Sequence, residues 1–345
     1  MIGVRDGQLE EHEVLDPKRC IWRVDLRTKN WSKNILVQTL KYVEWSVRII
    51  MRLRANRPDV IQCHSFSALP VSVLAKYFTK SRLVYDAHEL ETEKNGMRGV
   101  EKILARILEK RLIRHADEMI VVSESIAEWY EKSIGGKRPV VIKNVPKKIK
   151  MVSAAGPNLR KTLGIQEDFV LYIYQGALVP GRGIEKLLSV FSRANPQRHL
   201  AIMGYGPLKT TAIEYQQKFS NIHYHEAVLP EDVVRYVSSA DVGIYLIENT
   251  CLSYYYCLPN KIFESLMSGL PVVVSDLPEL RNVVRTYDCG WIAPQGDDQL
   301  IDLINKINKA DISEKRHNAY KVQEEHNWEH EEVKLISMYR SLGRS

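Results

Sequence analysis

Apolar positions along the chain fall into two alternating patterns. Short β-branched runs, "DVIQCH" (59–64), "RLVYDAH" (82–88), "EMIVVS" (118–123) and "PVVIKN" (139–144), read as buried strands. Between them "NILVQTLKYVEWSVRIIMRL", "VEKILARILEKRLIRHA" and "SESIAEWYEKS" carry the three-to-four-residue spacing of amphipathic helices. This rhythm predicts parallel βαβ units. It breaks over "KNVPKKIKMVSAAGPNLRKTLGI" (143–165), where Pro, Gly, Ser and Lys crowd without a sustained period, as in an interdomain linker. The rhythm then resumes, with strands predicted at 169–176, 199–204, 221–226, 241–247 and 271–276. Helices are expected to begin near Gly183, Pro207, Pro230 and Asn260, and two more at 297–309 and 328–341 close the chain. The pattern therefore reads as α/β, two doubly wound parallel-sheet domains in succession. The expected division is 1–145, 146–326, and a terminal helix in 327–345 that returns toward the first domain.

Composition narrows this picture. A chain of 345 residues, 45% of them hydrophobic, can fill two cores. No window approaches the roughly 18 consecutive apolar residues of a membrane span, and "MIGVRDGQLEEHEV" lacks the apolar centre of a signal peptide, so the cytoplasm is the expected compartment. Five cysteines (Cys20, Cys63, Cys251, Cys257, Cys289), scattered and without CxxC or Cys/His ligand spacing, predict reduced thiols and no structural zinc. Charge divides the halves: residues 1–150 hold 29 Lys and Arg against 19 Asp and Glu, net +10, whereas 151–345 hold 20 against 23, net −3. In the basic half, "RGVEKILARILEKRLIRH" (98–115) interleaves Ile and Leu with Lys102, Arg106, Lys110, Arg111 and Arg114. Such a helix either packs its apolar face on the sheet with a solvated basic face, or rests on anionic lipid.

Ligands of doubly wound sheets sit beyond the carboxyl ends of the strands, and four segments fall there. "YQGALVPGRGIEKLL" (174–188) ends a strand at Gly176 and flanks Arg182 with Gly181 and Gly183 before a helix, an arrangement suited to a diphosphate or to an ordinary glycine-rich turn. "MGYGP" (203–207) places Gly204 and Gly206 in a tight strand-to-helix turn. In "LPNKIFESLMSGLPVVVSD" (258–276), Pro259, Asn260 and Lys261 open a helix with Glu264 one turn on; Lys261 can neutralise phosphate and Glu264 can accept from a vicinal diol, or the two can form an i,i+3 ion pair. "VYDAHEL" (84–90) sets Asp86, His88 and Glu89 at a strand's end, with His64 at the end of the strand before it. A histidine there can donate a hydrogen bond, act as a base or stabilise charge. No Asp-x-Asp occurs, so a metal bridging a diphosphate has no evident ligands, and neither metal nor cofactor is expected.

The order of these segments, in one register with "ADEMIVVSESIAE" and "VIKNVP", resembles the family-four glycosyltransferases of the GT-B fold. The resemblance implies two facing Rossmann-like domains, a nucleotide-diphosphate-sugar held mainly by the second, and a hydroxyl-bearing sugar or lipid-linked acceptor on the first. It further implies transfer with retention, usually without metal, in bacterial-type cell-surface polysaccharide or glycolipid assembly. Nucleic acid is not an expected partner; the basic first domain leaves an anionic membrane surface, with the protein peripheral on its inner face, as one of the two readings of its basic helix. By resemblance Arg182 matches the basic residue of the phosphate loop, Glu264 the later glutamate of the E-x7-E element, which binds ribose, and His88 the histidine beside the reacting sugar. Lys261 stands as a further charge on the diphosphate. The chain departs at Tyr256, where the earlier glutamate falls, and at Ala177, where an arginine is common. The family's opening strand–helix unit has no counterpart before "IWRVDL" (21–26), save Ile2 to Val4 as a remnant. The first domain is therefore expected to be incomplete and its activity impaired. A nucleotide-sugar epimerase and a non-catalytic nucleotide-sugar-binding remnant are the competing readings.

Overall fold

The computed structural model describes residues 1–4, 9–32, 34–148 and 158–343. Nine residues of the expected linker (143–165), from 149 to 157, lie outside the described residues. The chain forms two compact units: Met1–Thr92 with Arg98–Ile120, and Glu93–Met97 with Val121–Ser345.

At the start of the first unit, strands β1 (Ile2–Val4), β2 (His12–Asp16) and β3 (Arg19–Val24) make a small sheet in the order β1-β3-β2. β1 runs parallel to β3 and β2 antiparallel to it. Strands β4 (Val60–His64) and β5 (Arg82–Ala87) pair in parallel, and their register sets His64 opposite Asp86. With β6 (Glu118–Val121) and β7 (Val140–Val141) they belong to a four-stranded sheet in sequential order. The helix Ile35–Asn56, capped by the Asn34 side chain on Val37 N, follows its predicted span closely. The helix Leu69–Thr79, with proline in its first turn, was not singled out by the sequence pattern because its apolar positions are too dense to show a period.

Helix Gly99–Ile113 does not bury its apolar positions. Val100, Ile103, Leu104, Ile107 and Leu108 are exposed, and the residues turned inward are Ala105 and Glu109. Buried Glu109 accepts from Tyr85 Oη at 2.9 Å and Thr92 Oγ1 at 3.0 Å, and these bonds satisfy a carboxylate placed where an apolar side chain was expected.

In the second unit, β8 (Val170–Gln175), β9 (Arg198–Met203), β10 (Ile222–His225), β11 (Val242–Tyr245), β12 (Val272–Ser275) and β13 (Gly290–Ala293) form one sheet in the order β10-β9-β8-β11-β12-β13. Every pairing in it is parallel. All six residues of β8 are buried, as a central parallel strand covered on both faces requires. The chain steps outward from β8 to β10, then returns to β11 on the other side of β8. The strand order therefore reverses between β8 and β11, which is where such sheets bind ligands. β13 escaped the sequence pattern because it is four residues long and starts on glycine.

A buried polar knot ties this unit together at the opposite end of the strands. Arg160, on the helix Leu159–Thr162, donates to the carbonyls of Gln166 (2.7 Å) and Phe169 (3.2 Å) and to the Asp241 carboxylate. Asp241 also accepts from Leu171 N and from Lys309 Nζ, each at 2.8 Å. The terminal helix Trp328–Leu342 is bonded to residues 143–148: Trp328 N donates to Pro146 O at 2.9 Å, and the Glu331 carboxylate accepts from Lys143 N at 3.1 Å.

Candidate active site

The predicted residues of the second unit converge on the point where its strand order reverses. β8 delivers Gln175 and then Gly176, whose backbone has φ +130°; a Cβ there would run into the Lys261 ammonium, so the side chain of Lys261 lies directly over this turn. Gly183, at φ +77°, starts the helix Ile184–Phe191 with no room for a Cβ against the carbonyl of Leu246. Gly204 and Gly206 pack on the backbone of Gly176 and Leu178, and Leu178 N donates to Tyr205 O at 2.8 Å. These glycines let the loops after β8 and β9 interlock, whereas Gly176 and Gly181 meet side chains, those of Lys261 and Tyr254.

Three side chains of this cluster are charged. Arg182 stacks on Tyr254, its guanidinium carbon 4.6 Å from the ring centre, and forms no ion pair among the described residues. The Lys261 ammonium, 5.9 Å from the ring centre of Tyr174, likewise has no anionic partner there. Burial pushes the Lys261 amine down to about 8, Arg182 pushes in the same direction, and Glu264 opposes both. Lys261 and Glu264 do not form the i,i+3 ion pair offered by their spacing. Glu264 instead accepts from Gln175 Nε2 at 2.6 Å and Asn260 Nδ2 at 3.1 Å, and burial raises its carboxyl above the usual range despite Lys261. Gln175 was missed in the sequence. It orients Glu264 with its amide nitrogen, while its Oε1 is buried without a hydrogen-bond partner among the described residues. Tyr254, the platform under Arg182, was also missed; its only signal is the run of three tyrosines ending at Tyr256. The backbone of Tyr256 is tied inward, its carbonyl accepting from Ser123 Oγ at 3.1 Å.

In the first unit the structure brings together three of the four residues predicted there. His64 Nδ1 lies 3.1 Å from Asp86 Oδ2 and 3.1 Å from His88 Nε2, and His88 Nδ1 lies 3.7 Å from Asp86 Oδ1. The two imidazoles stack at 5.3 Å with planes 5° apart. Asp86 is buried and accepts from Gln62 Nε2 at 2.8 Å; it raises the His64 imidazole, burial opposing. Ser65 follows His64 with φ +75° and ψ 155°, a backbone region sparse for non-glycine residues and found at functional sites. Glu89 is half-buried.

The model of the glycosyl transferases group 1 matches residues 156–326 and that of glycosyltransferase family 4 matches residues 6–145, so the two between them take in most of the chain. The sucrose-phosphate synthase from Thermosynechococcus elongatus superposes with a TM-score of 0.81 over 100% of this chain and 88% of that one, at 18% identity. The chain is a glycosyltransferase of the GT-B type. HepE of Anabaena, solved with UDP-glucose, is similar at a TM-score of 0.72 and 16% identity, over 94% of this chain and 86% of that one. In sequence, the transferase is 23% identical over 318 residues to an uncharacterised glycosyltransferase of Methanocaldococcus jannaschii, covering 84% of this chain and 76% of the relative. It is also 23% identical over 273 residues to the putative teichuronic acid biosynthesis glycosyltransferase TuaC of Bacillus subtilis, covering 76% of this chain and 64% of that protein. None of these relatives is described as an epimerase.

Proposed function

We propose that the protein transfers a sugar from a nucleotide-diphosphate-sugar to a hydroxyl acceptor with retention at the anomeric carbon. The observation that carries this reading is the pair of cations in the second unit, Arg182 and Lys261, close enough for one to depress the other and without a carboxylate partner among the described residues. Two cations held together at a cost to Lys261 mark a place for a multivalent anion. Diphosphate satisfies both, and their charge stabilises it as a leaving group. Glu264, fixed by Gln175 and Asn260, is aimed to accept from the ribose diol. His88 is assigned to the donor sugar, and Asp86 and His64 support it. The acceptor hydroxyl attacks from the face the diphosphate leaves.

A panel of UDP-, ADP- and GDP-sugars, with hydrolysis and transfer followed by released nucleotide, tests this reading. UDP-glucose heads the panel because HepE was solved with it. Arg182→Ala and Lys261→Ala are each expected to lose about 1.5–3 kcal/mol of donor affinity. Calorimetry showing unchanged affinity in both folded variants would overturn the assignment.

A lipid-linked acceptor in cell-surface polysaccharide or glycolipid assembly is favoured by the helix Gly99–Ile113, whose exposed Val100, Ile103, Leu104, Ile107 and Leu108 stand among Lys102, Arg106, Lys110 and Arg111. No helix among the described residues is long and apolar enough to cross a membrane. Surface binding to anionic lipid fits this helix. Co-sedimentation with phosphatidylglycerol vesicles, lost when Ile103→Glu and Ile107→Glu are combined, is the expected result; no binding by the parent protein at low salt rejects it.

A further inference from the structure

We propose that His64, Asp86 and His88 bind a divalent transition-metal ion of the zinc class. The site is built by topology. Parallel pairing sets His64 directly opposite Asp86, and His88 follows Asp86 by two residues, so the three side chains gather at the ends of two neighbouring strands. One ligand atom from each residue can be chosen so that all lie within 4.8 Å of one another. The two 3.1 Å separations about His64 Nδ1 approach the edge of a tetrahedron around zinc, roughly 3.3 Å for bonds of about 2.0–2.1 Å.

The donor set, two imidazoles and a carboxylate, is one that zinc, cobalt and nickel accept and that calcium and magnesium do not favour. Both histidines are about half exposed, with side-chain exposures of 53% and 54%, so an ion held there keeps coordination positions open to water or to an anion. Gln62 supplies the outer contact that ligating carboxylates have, donating Nε2–H to Asp86 Oδ2 at 2.8 Å. No ligand spacing announces this site in the sequence, because His64 and His88 are 24 residues apart and meet only through strand pairing.

One consequence rests on the transferase reading above: an ion bound here withdraws the His88 imidazole from the sugar, so zinc inhibits transfer and a chelator restores it. The binding itself is tested without activity. Titrating the full chain with Co2+ is expected to produce the intense visible d–d bands of a four- or five-coordinate nitrogen–oxygen site, displaced by stoichiometric Zn2+. The His64→Ala and His88→Ala variants should lose the bands, and Gln62→Ala should weaken affinity about 10–100-fold. Spectra no stronger than those of aquated cobalt, or bands that persist in the double histidine variant, overturn the proposal. Cobalt bands without inhibition by zinc leave the metal site standing and remove His88 from the transfer reaction; inhibition without bands overturns the site and leaves the transferase reading untouched.

Discussion

Lys261 makes a prediction about pH. In the free protein its amine titrates near 8, below its ordinary value, because burial and Arg182 disfavour the charged form. A bound diphosphate favours that form, so donor affinity should be full below about pH 8 and fall as pH rises through it. Lys261→Arg, which stays protonated, should abolish the fall. Calorimetric titration of a nucleotide-sugar across this range checks it, and a flat profile in the parent protein excludes Lys261 from the phosphates. Glu264→Gln separates roles at the same site: it keeps the shape but weakens acceptance from a ribose diol, so the preference for ribose over 2′-deoxyribose donors should shrink. At this scale the sequence displayed the charged residues, since their types and spacing carry the chemistry. It did not display what each one touches. Lys261 and Glu264 at i,i+3 looked like partners, yet Gln175, 89 residues away, takes the carboxylate.

Among elements, the Arg160–Asp241 pair joins the short helix Leu159–Thr162 to β8, to the start of β11 and, through Lys309, to the helix Lys309–Glu325. Removing one partner leaves the other charge buried, so Asp241→Ala should cost about 3–5 kcal/mol of stability in denaturant unfolding. Replacing Lys309, whose side chain is partly exposed, should cost far less. Strands with long apolar runs were legible: five of the six in the second sheet lie within a residue or two of their expected spans, or inside them. Elements held by contacts rather than by period were not. The helix Lys309–Glu325 is mostly polar and buries only Ile312, Ala319 and Val322, so its clearest local signal is the capping box of Asn308 and Asp311. The helix Gly99–Ile113 kept its period but turned its apolar stripe outward, because Glu109 found partners inside.

For the whole molecule, three histidines kept partly or wholly from water lower stability as the medium is acidified. His199 Nδ1 and His223 Nε2 are 2.9 Å apart on β9 and β10; burial, then Arg160, lowers His199, while burial, then His199, lowers His223 to about 4. His326 is also pushed down to about 4, chiefly by burial. Their folded values lie below the unfolded value of about 6.5, so between these limits the unfolded chain takes up protons that the folded one refuses. Stability is therefore full above about pH 6.5 and falls as pH drops toward 4. His223→Gln should flatten that slope in thermal unfolding followed against pH; an unchanged slope would show the pair to be a bystander. The division into compact units has a consequence for synthesis. The second unit takes its first residues from 93–97 and 121–148, and these wait for partners made much later: Glu93 O for Ser253 N, Ser125 N for Glu279, and Lys143 N for Glu331. As the chain leaves the ribosome, the early pieces of this unit emerge before anything can cap them. A stop codon just before the last helix would strip a backbone bond from a segment translated 188 residues earlier.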